Sequence, residues 1–205
     1  PLNKRKEHVV KPMHPKDQFE AIVKSIHDAG YQVDVHAVGD RAVDLTLDAF
    51  LKVCSSPAEC RRRRHRIEHF AFRNLDSIKR SSEYGTPVCS QPEMIVVRGD
   101  ELLEKTDRKV VNYITPIGSF FREEANICFG ADVPAFPSHS PIDSIRTAMT
   151  RKTEKGKQLD KSEAITFQQG LRCHTMNAAF ASFDEKELGS LEIGKKADFV
   201  IWNKD

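Results

Sequence analysis

Three residues far apart in the chain carry side chains suited to hydrolytic chemistry: His36, His69 and Asp132. Each ends a short run that reads as a β-strand. The runs are Val33-Asp34-Val35-His36, Arg66-Ile67-Glu68-His69 and Ile127-Cys128-Phe129-Gly130-Ala131-Asp132. Imidazole and carboxylate are the usual ligands of a hydrolytic metal, and parallel α/β folds build their chemistry at the C-terminal ends of strands. The trio therefore reads as part of a metal-hydrolase site, one or two ligands short of a full set. Taken singly, a histidine at a strand end is more often a hydrogen-bonded structural group, and an aspartate just before Pro134 is a natural turn former. The surrounding pattern is what gives the three their weight.

Elements that alternate between helix and strand must position them. Residues 16–29 read as a helix with Phe19, Ile22, Val23 and Ile26 on one face, ended by Gly30. Strand 32–37 follows, and Asp40 is placed to cap a helix over 41–54. Strand 65–70 leads to a helix over 74–84 that Gly85 ends, then to a short strand 86–91. The stretch 93–125 reads as a long loop with helical pieces near 100–105 and 118–125, suited to substrate contacts. Strand 126–131 precedes a Pro-rich turn. Ser140 and Pro141 then open a helix expected to reach 155, and Thr166 and Gln169 form a capping box for a last helix to about 181. Residues 197–202 read as a terminal strand. His36 and His69 are 33 residues apart, and His69 and Asp132 are 63 apart. Those intervals match one and two β/α units. The four units expected here are half of an eight-stranded barrel, whose core takes about 250 residues.

Composition narrows the alternatives. The chain has 205 residues, enough for one domain or a large part of one. Its 32 basic and 30 acidic residues leave a net charge of +2, which gives no general pull toward nucleic acid or membranes. The basic run Arg61–Arg64 reads as a solvated loop, because no aromatics interleave. No apolar stretch approaches the ~20 residues needed to span a bilayer, and no signal peptide is visible. Five cysteines with no Cys-x-x-Cys argue against a disulfide framework and for a reducing, cytoplasmic setting. The chain opens on Pro1 in a polar, uncapped segment and is expected to lack its natural beginning.

These motifs resemble those of the metal-dependent amidohydrolase superfamily, in the branch that includes N-substituted formamide deformylase. Val35-His36-Ala37-Val38-Gly39-Asp40-Arg41-Ala42-Val43 is similar to its fifth-strand motif, and Arg64-His65-Arg66-Ile67-Glu68-His69 to its sixth. Ser90-Gln91-Pro92 resembles the seventh-strand end. Gly130-Ala131-Asp132-Val133-Pro134 resembles the eighth, with Ala131 where Ser is more usual. The segment from Gly189 to Phe199 is similar to the return into the superfamily's small β-sandwich. Five motifs in order, covering the chain from about Asp17, make the resemblance specific.

The resemblance implies an α/β fold: the C-terminal half of a TIM-like (β/α)8 barrel, strands five to eight, over 1–185. The first strand of a β-sandwich return would fall within 186–205. It implies His36, His69 and Asp132 as ligands of a divalent metal, zinc being expected. Asp132 and His69 would be catalytic and Gln91 a substrate contact. The substrate would be a small molecule with a non-peptide, amide-like C–N bond. The superfamily's His-x-His pair is absent from this chain. Lys11, 25 residues before His36, lacks the strand pattern expected of a bridging lysine. Weak or absent activity of this chain alone is therefore expected. The competing expectation is a non-catalytic half-barrel that binds or assembles, either with itself or with an N-terminal half-barrel. Glu68 is expected to face the helical layer, and His65, His139 and His174 to be surface or capping groups.

Overall fold

In the computed structural model, residues 11–201 and Asn203 are described. The first unit is α1 (Lys16–Asp28) followed by β1 (Asp34–Ala37). Next come α2 (Asp40–Val53), α3 (Pro57–Arg63), β2 (Arg66–His69), α4 (Leu75–Tyr84) and β3 (Val88–Ser90). Three helices, α5 (Glu93–Lys105), α6 (Arg108–Val111) and α7 (Ile117–Arg122), lead to β4 (Ile127–Phe129). The chain then forms α8 (Pro141–Thr150), α9 (Phe167–His174) and α10 (Met176–Ala181). The four strands make one parallel sheet in the order β1-β2-β3-β4.

Parallel pairing demands a covered face, and the apolar residues supply it. Ile67, Val88 and Ile127 are fully buried and pack with Val43, Leu47 and Phe50 of α2, Ile78 of α4 and Phe120 of α7. A second cluster joins Ile95, Val111, Ile114 and Leu159. Two buried charges fasten the long excursion that separates these cores. Arg151 has no solvent exposure and donates to the carbonyls of Ile114 and Thr115 at 2.8 Å, and to those of Asn112 and Asp160. Burial lowers its guanidinium to about 10. Glu163, equally buried, accepts from the Ser119 amide and hydroxyl at 2.6 Å and from Arg122 at 3.1 Å.

Several expectations need correction. Segment 93–105 is a helix rather than a loop; its Gly99 sits where a Cβ would meet Thr153 at 2.7 Å. Residues 57–63 form α3, because the Ser56 side chain caps the Glu59 amide and Pro57 opens the first turn. Gly39, not Asp40, is the N-cap of α2. Ile22 is exposed, and His27 takes the inward place on α1. α8 stops at Thr150, where Arg151 turns left-handed, and the last helix breaks at Thr175 into α9 and α10. The terminal strand does not form over 197–201, where Phe199, Val200 and Ile201 are exposed without a pairing partner; Trp202 lies outside the described residues. Cys54 and Cys60 are joined in a disulfide, so cysteine usage loses its value as a sign of compartment. Cys128 and Cys173 are buried core thiols, as expected. Among the described residues no helix is long and apolar enough to cross a membrane.

Candidate active site

The four strands end together, and their ends line a cavity of about 250 Å³. Its walls are His36 from β1, Glu68 and His69 from β2, Cys89 from β3, and Gln91, Gly130 and Asp132 from the loops after β3 and β4. Three of the site residues read from sequence, His36, His69 and Gln91, are in hydrogen-bonded contact. His69 Nε2 lies 2.8 Å from His36 Nδ1, and His69 Nδ1 lies 2.7 Å from Gln91 Oε1. The two rings meet edge to face with centroids 4.4 Å apart. Asp132 shares the cavity from its exposed rim.

Two of the cavity residues hold unusual backbone angles. His69 has φ +83° and Asp132 φ +49°, both in the left-handed region that non-glycine residues seldom occupy. Strained backbone of this kind clusters at functional sites. At His69 it has a clear geometric effect. In a regular strand His69 would share the helix-facing side with Ile67; the positive φ turns its ring toward His36 instead.

The same turn explains why Glu68 is not where the sequence pattern put it. Glu68 pairs in register with His36, and both face the cavity. Its carboxylate accepts from Arg66 Nε at 2.6 Å, while Arg66 also reaches Asp34 at 2.6 Å. Burial, followed by the neighbouring Asp34 charge, raises the Glu68 carboxyl above its ordinary range despite Arg66. Cys89 continues the same row toward Cys128, and its thiol is pushed far up by its hydrogen bond to Cys128 and by burial. Glu68 and Cys89 are cavity residues that strand alternation counted from His69 missed. Alternation counted from His36 across the parallel register finds them.

His65 is not a surface group. It is 2% exposed at the N-terminal end of β2; its Nδ1 accepts from the Val33 amide at 3.0 Å, and its Nε2 lies 2.9 Å from His27 Nδ1. His174 is half-buried, with Nε2 3.1 Å from Ser144 Oγ. Lys11 is exposed and outside any strand.

The donor set suits a divalent metal in kind: two imidazoles and carboxylates at one cavity. Its arrangement is incomplete. Among the described residues, no three His, Cys, Asp or Glu side chains stand close enough together to hold a metal ion. The two imidazoles are instead bonded to each other.

Comparison with known proteins agrees with the architecture. The sequence profile described as "Amidohydrolase family" matches residues 7–205. Protein LONG AFTER FAR-RED 3 of Arabidopsis thaliana is 34% identical over 175 residues, covering 84% of this chain and 30% of that protein. N-substituted formamide deformylase of Arthrobacter pascens is 25% identical, covering 98% of this chain and 36% of that protein. The crystal structure of an uncharacterized metal-dependent hydrolase from Pyrococcus horikoshii OT3 superimposes with a TM-score of 0.83 at 25% identity. That match takes in 97% of this chain and 39% of the hydrolase. The chain thus spans about a third of the length of the relatives it matches.

Proposed function

The chain belongs to the amidohydrolase family, and on that premise we propose that it supplies the C-terminal share of a metal-dependent hydrolase site acting on an amide-like C–N bond of a small molecule. The observation that carries this reading is the meeting of His36 and His69 at strand ends, in a cavity that Asp132 also lines. The four parallel strands are read as strands five to eight of a (β/α)8 barrel. The share of each relative that the chain covers supports this, with four further units and the remaining ligands outside these 205 residues.

The residues present divide the work. His36, His69 and Asp132 would hold a divalent metal, zinc for example, only together with ligands from elsewhere. Such a metal supplies water acidified toward neutrality. Asp132, at the mouth, is placed to orient the attacking water, take its proton and return that proton to the departing amine. His69 is placed to polarise the carbonyl oxygen. Glu68, held by Arg66, adds a charged group to the cavity wall beside His36.

The reading is tested on the protein in its full natural length. Hydrolysis of N-formyl and N-acyl amines should fall by roughly 10²–10⁴-fold in His69→Ala and in Asp132→Asn, with unchanged circular dichroism. Wild-type-like turnover in either variant overturns it. This chain on its own should carry well under one metal per molecule after dialysis, because its ligand set is incomplete. A second reading, a non-catalytic module that binds another half-barrel or its own copy, draws on the open edges of β1 and β4. Light scattering decides it: a stable monomer of 23.2 kDa counts against assembly.

A further inference from the structure

We propose that Cys89 and Cys128 form a separate cation site, a two-sulfur clamp for a soft divalent metal of the mercuric class, entered through the cavity.

Strand register brings the sulfurs together. Cys89 of β3 and Cys128 of β4 are direct partners in the parallel ladder, where neighbouring strands lie about 4.8 Å apart. Their side chains leave the sheet on the same face, and the two thiols are hydrogen-bonded to each other. Both are free, whereas Cys54 and Cys60 are already joined and offer no competing thiol. Cys128 is buried, while Cys89 is half-buried and lines the cavity. Gly130 keeps that approach open: a Cβ there would stand 2.9 Å from Cys89 Sγ. The remaining free thiol, Cys173 of α9, has no solvent exposure and does not line the cavity.

The donors select the metal. Thiolate is a soft ligand and favours soft cations. Among the described residues no third His, Cys, Asp or Glu completes a metal-binding cluster here. Tetrahedral zinc, which takes four ligands, is therefore poorly served. A mercuric ion is satisfied by two sulfurs in a line. Each thiol releases its proton as its bond to the metal forms. Two thiols and one divalent cation thus become one neutral bis-thiolate and two free protons. The charge of the site is unchanged, which suits a buried position. A monovalent soft cation would leave a net negative charge beside the Glu68 carboxylate, which contacts the Cys89 thiol.

The clamp does not depend on the hydrolytic reading, and its test needs no turnover. The 205-residue chain is loaded with mercuric chloride and dialysed against EDTA. Bound mercury is then measured, and its neighbours are counted by X-ray absorption at the mercury edge. The wild-type chain should retain about one mercury with two sulfur neighbours. Cys89→Ala and Cys128→Ala should each leave at most one sulfur neighbour and retain roughly tenfold less mercury. Cys173→Ala should match the wild type. Circular dichroism reports that each variant is folded. Cys89 stands at the cavity wall, so its variant decides the matter by itself where the buried Cys128→Ala fails to fold. Wild-type mercury held by fewer than two sulfurs overturns the proposal. So does wild-type retention with two sulfur neighbours in folded Cys89→Ala.

Discussion

An imidazole pair stands at each end of β2, His36 with His69 at one and His27 of α1 with His65 at the other, and the pairs differ in what closes them. At the N-terminal end, the Val33 amide donates into His65, His65 donates to His27, and His27 Nε2 points at Glu59 Oε1, 3.6 Å away. Every ring nitrogen there has a polar neighbour. At the C-terminal end the row runs from Gln91 Oε1 through His69 to His36, whose Nε2 meets no hydrogen-bonding group among the described residues. One pair is closed at both ends within the fold, and the other is left open at the cavity. Burial follows the same division: His65 is 2% exposed, whereas His36 is exposed. Residue type alone therefore says little about a histidine's role, and what closes its hydrogen-bonded row says much.

Exchanging the roles of the two pairs by mutation should break the comparison most visibly. In the full-length protein, His36→Ala should lower hydrolysis by roughly 10²–10⁴-fold with stability nearly unchanged, while His65→Ala should leave turnover per folded molecule intact. Activity lost in both variants alike would erase the distinction. In stability the order inverts. His65→Ala opens a cavity and strands the buried Val33 amide, at a cost of about 2–4 kcal/mol in urea unfolding. A smaller, graded effect comes from pH. Burial, followed by the neighbouring His27 and Arg63 charges, pulls His65 from 6.5 down to about 4. Between those values the unfolded chain binds a proton that the folded one refuses. Stability is thus full above pH 6.5 and falls by about 3 kcal/mol as pH drops to about 4. His65→Gln should flatten that slope, and an unaltered slope would assign the loss to other groups.

The site was more legible in the sequence than the frame around it. His36, His69, Asp132 and Gln91 line one cavity, because a parallel sheet aligns its C-terminal ends whatever the loops do. What escaped were features set by single backbone angles or by partners remote in sequence. Glu68 was misplaced because alternation assumes a regular strand, and the positive φ of His69 breaks it. His65 gave no signal because its partner, His27, lies 38 residues earlier on a helix. α3 was hidden by its basic composition, although Ser56-Pro57-Ala58-Glu59 carries a helix-start signature. α5 was hidden by Gly99, whose missing side chain is filled by Thr153 rather than by solvent. The apolar run at 197–201 has the composition of a strand, but a strand also needs a neighbour.

The two rims of the sheet are short: four residues at β1, with the charged Asp34 among them, and three at β4. Long flat rims recruit further chains into fibrils; brief, charged ones offer too few backbone groups in a row to template growth. Rims this short leave the sheet little capacity to extend by backbone pairing alone.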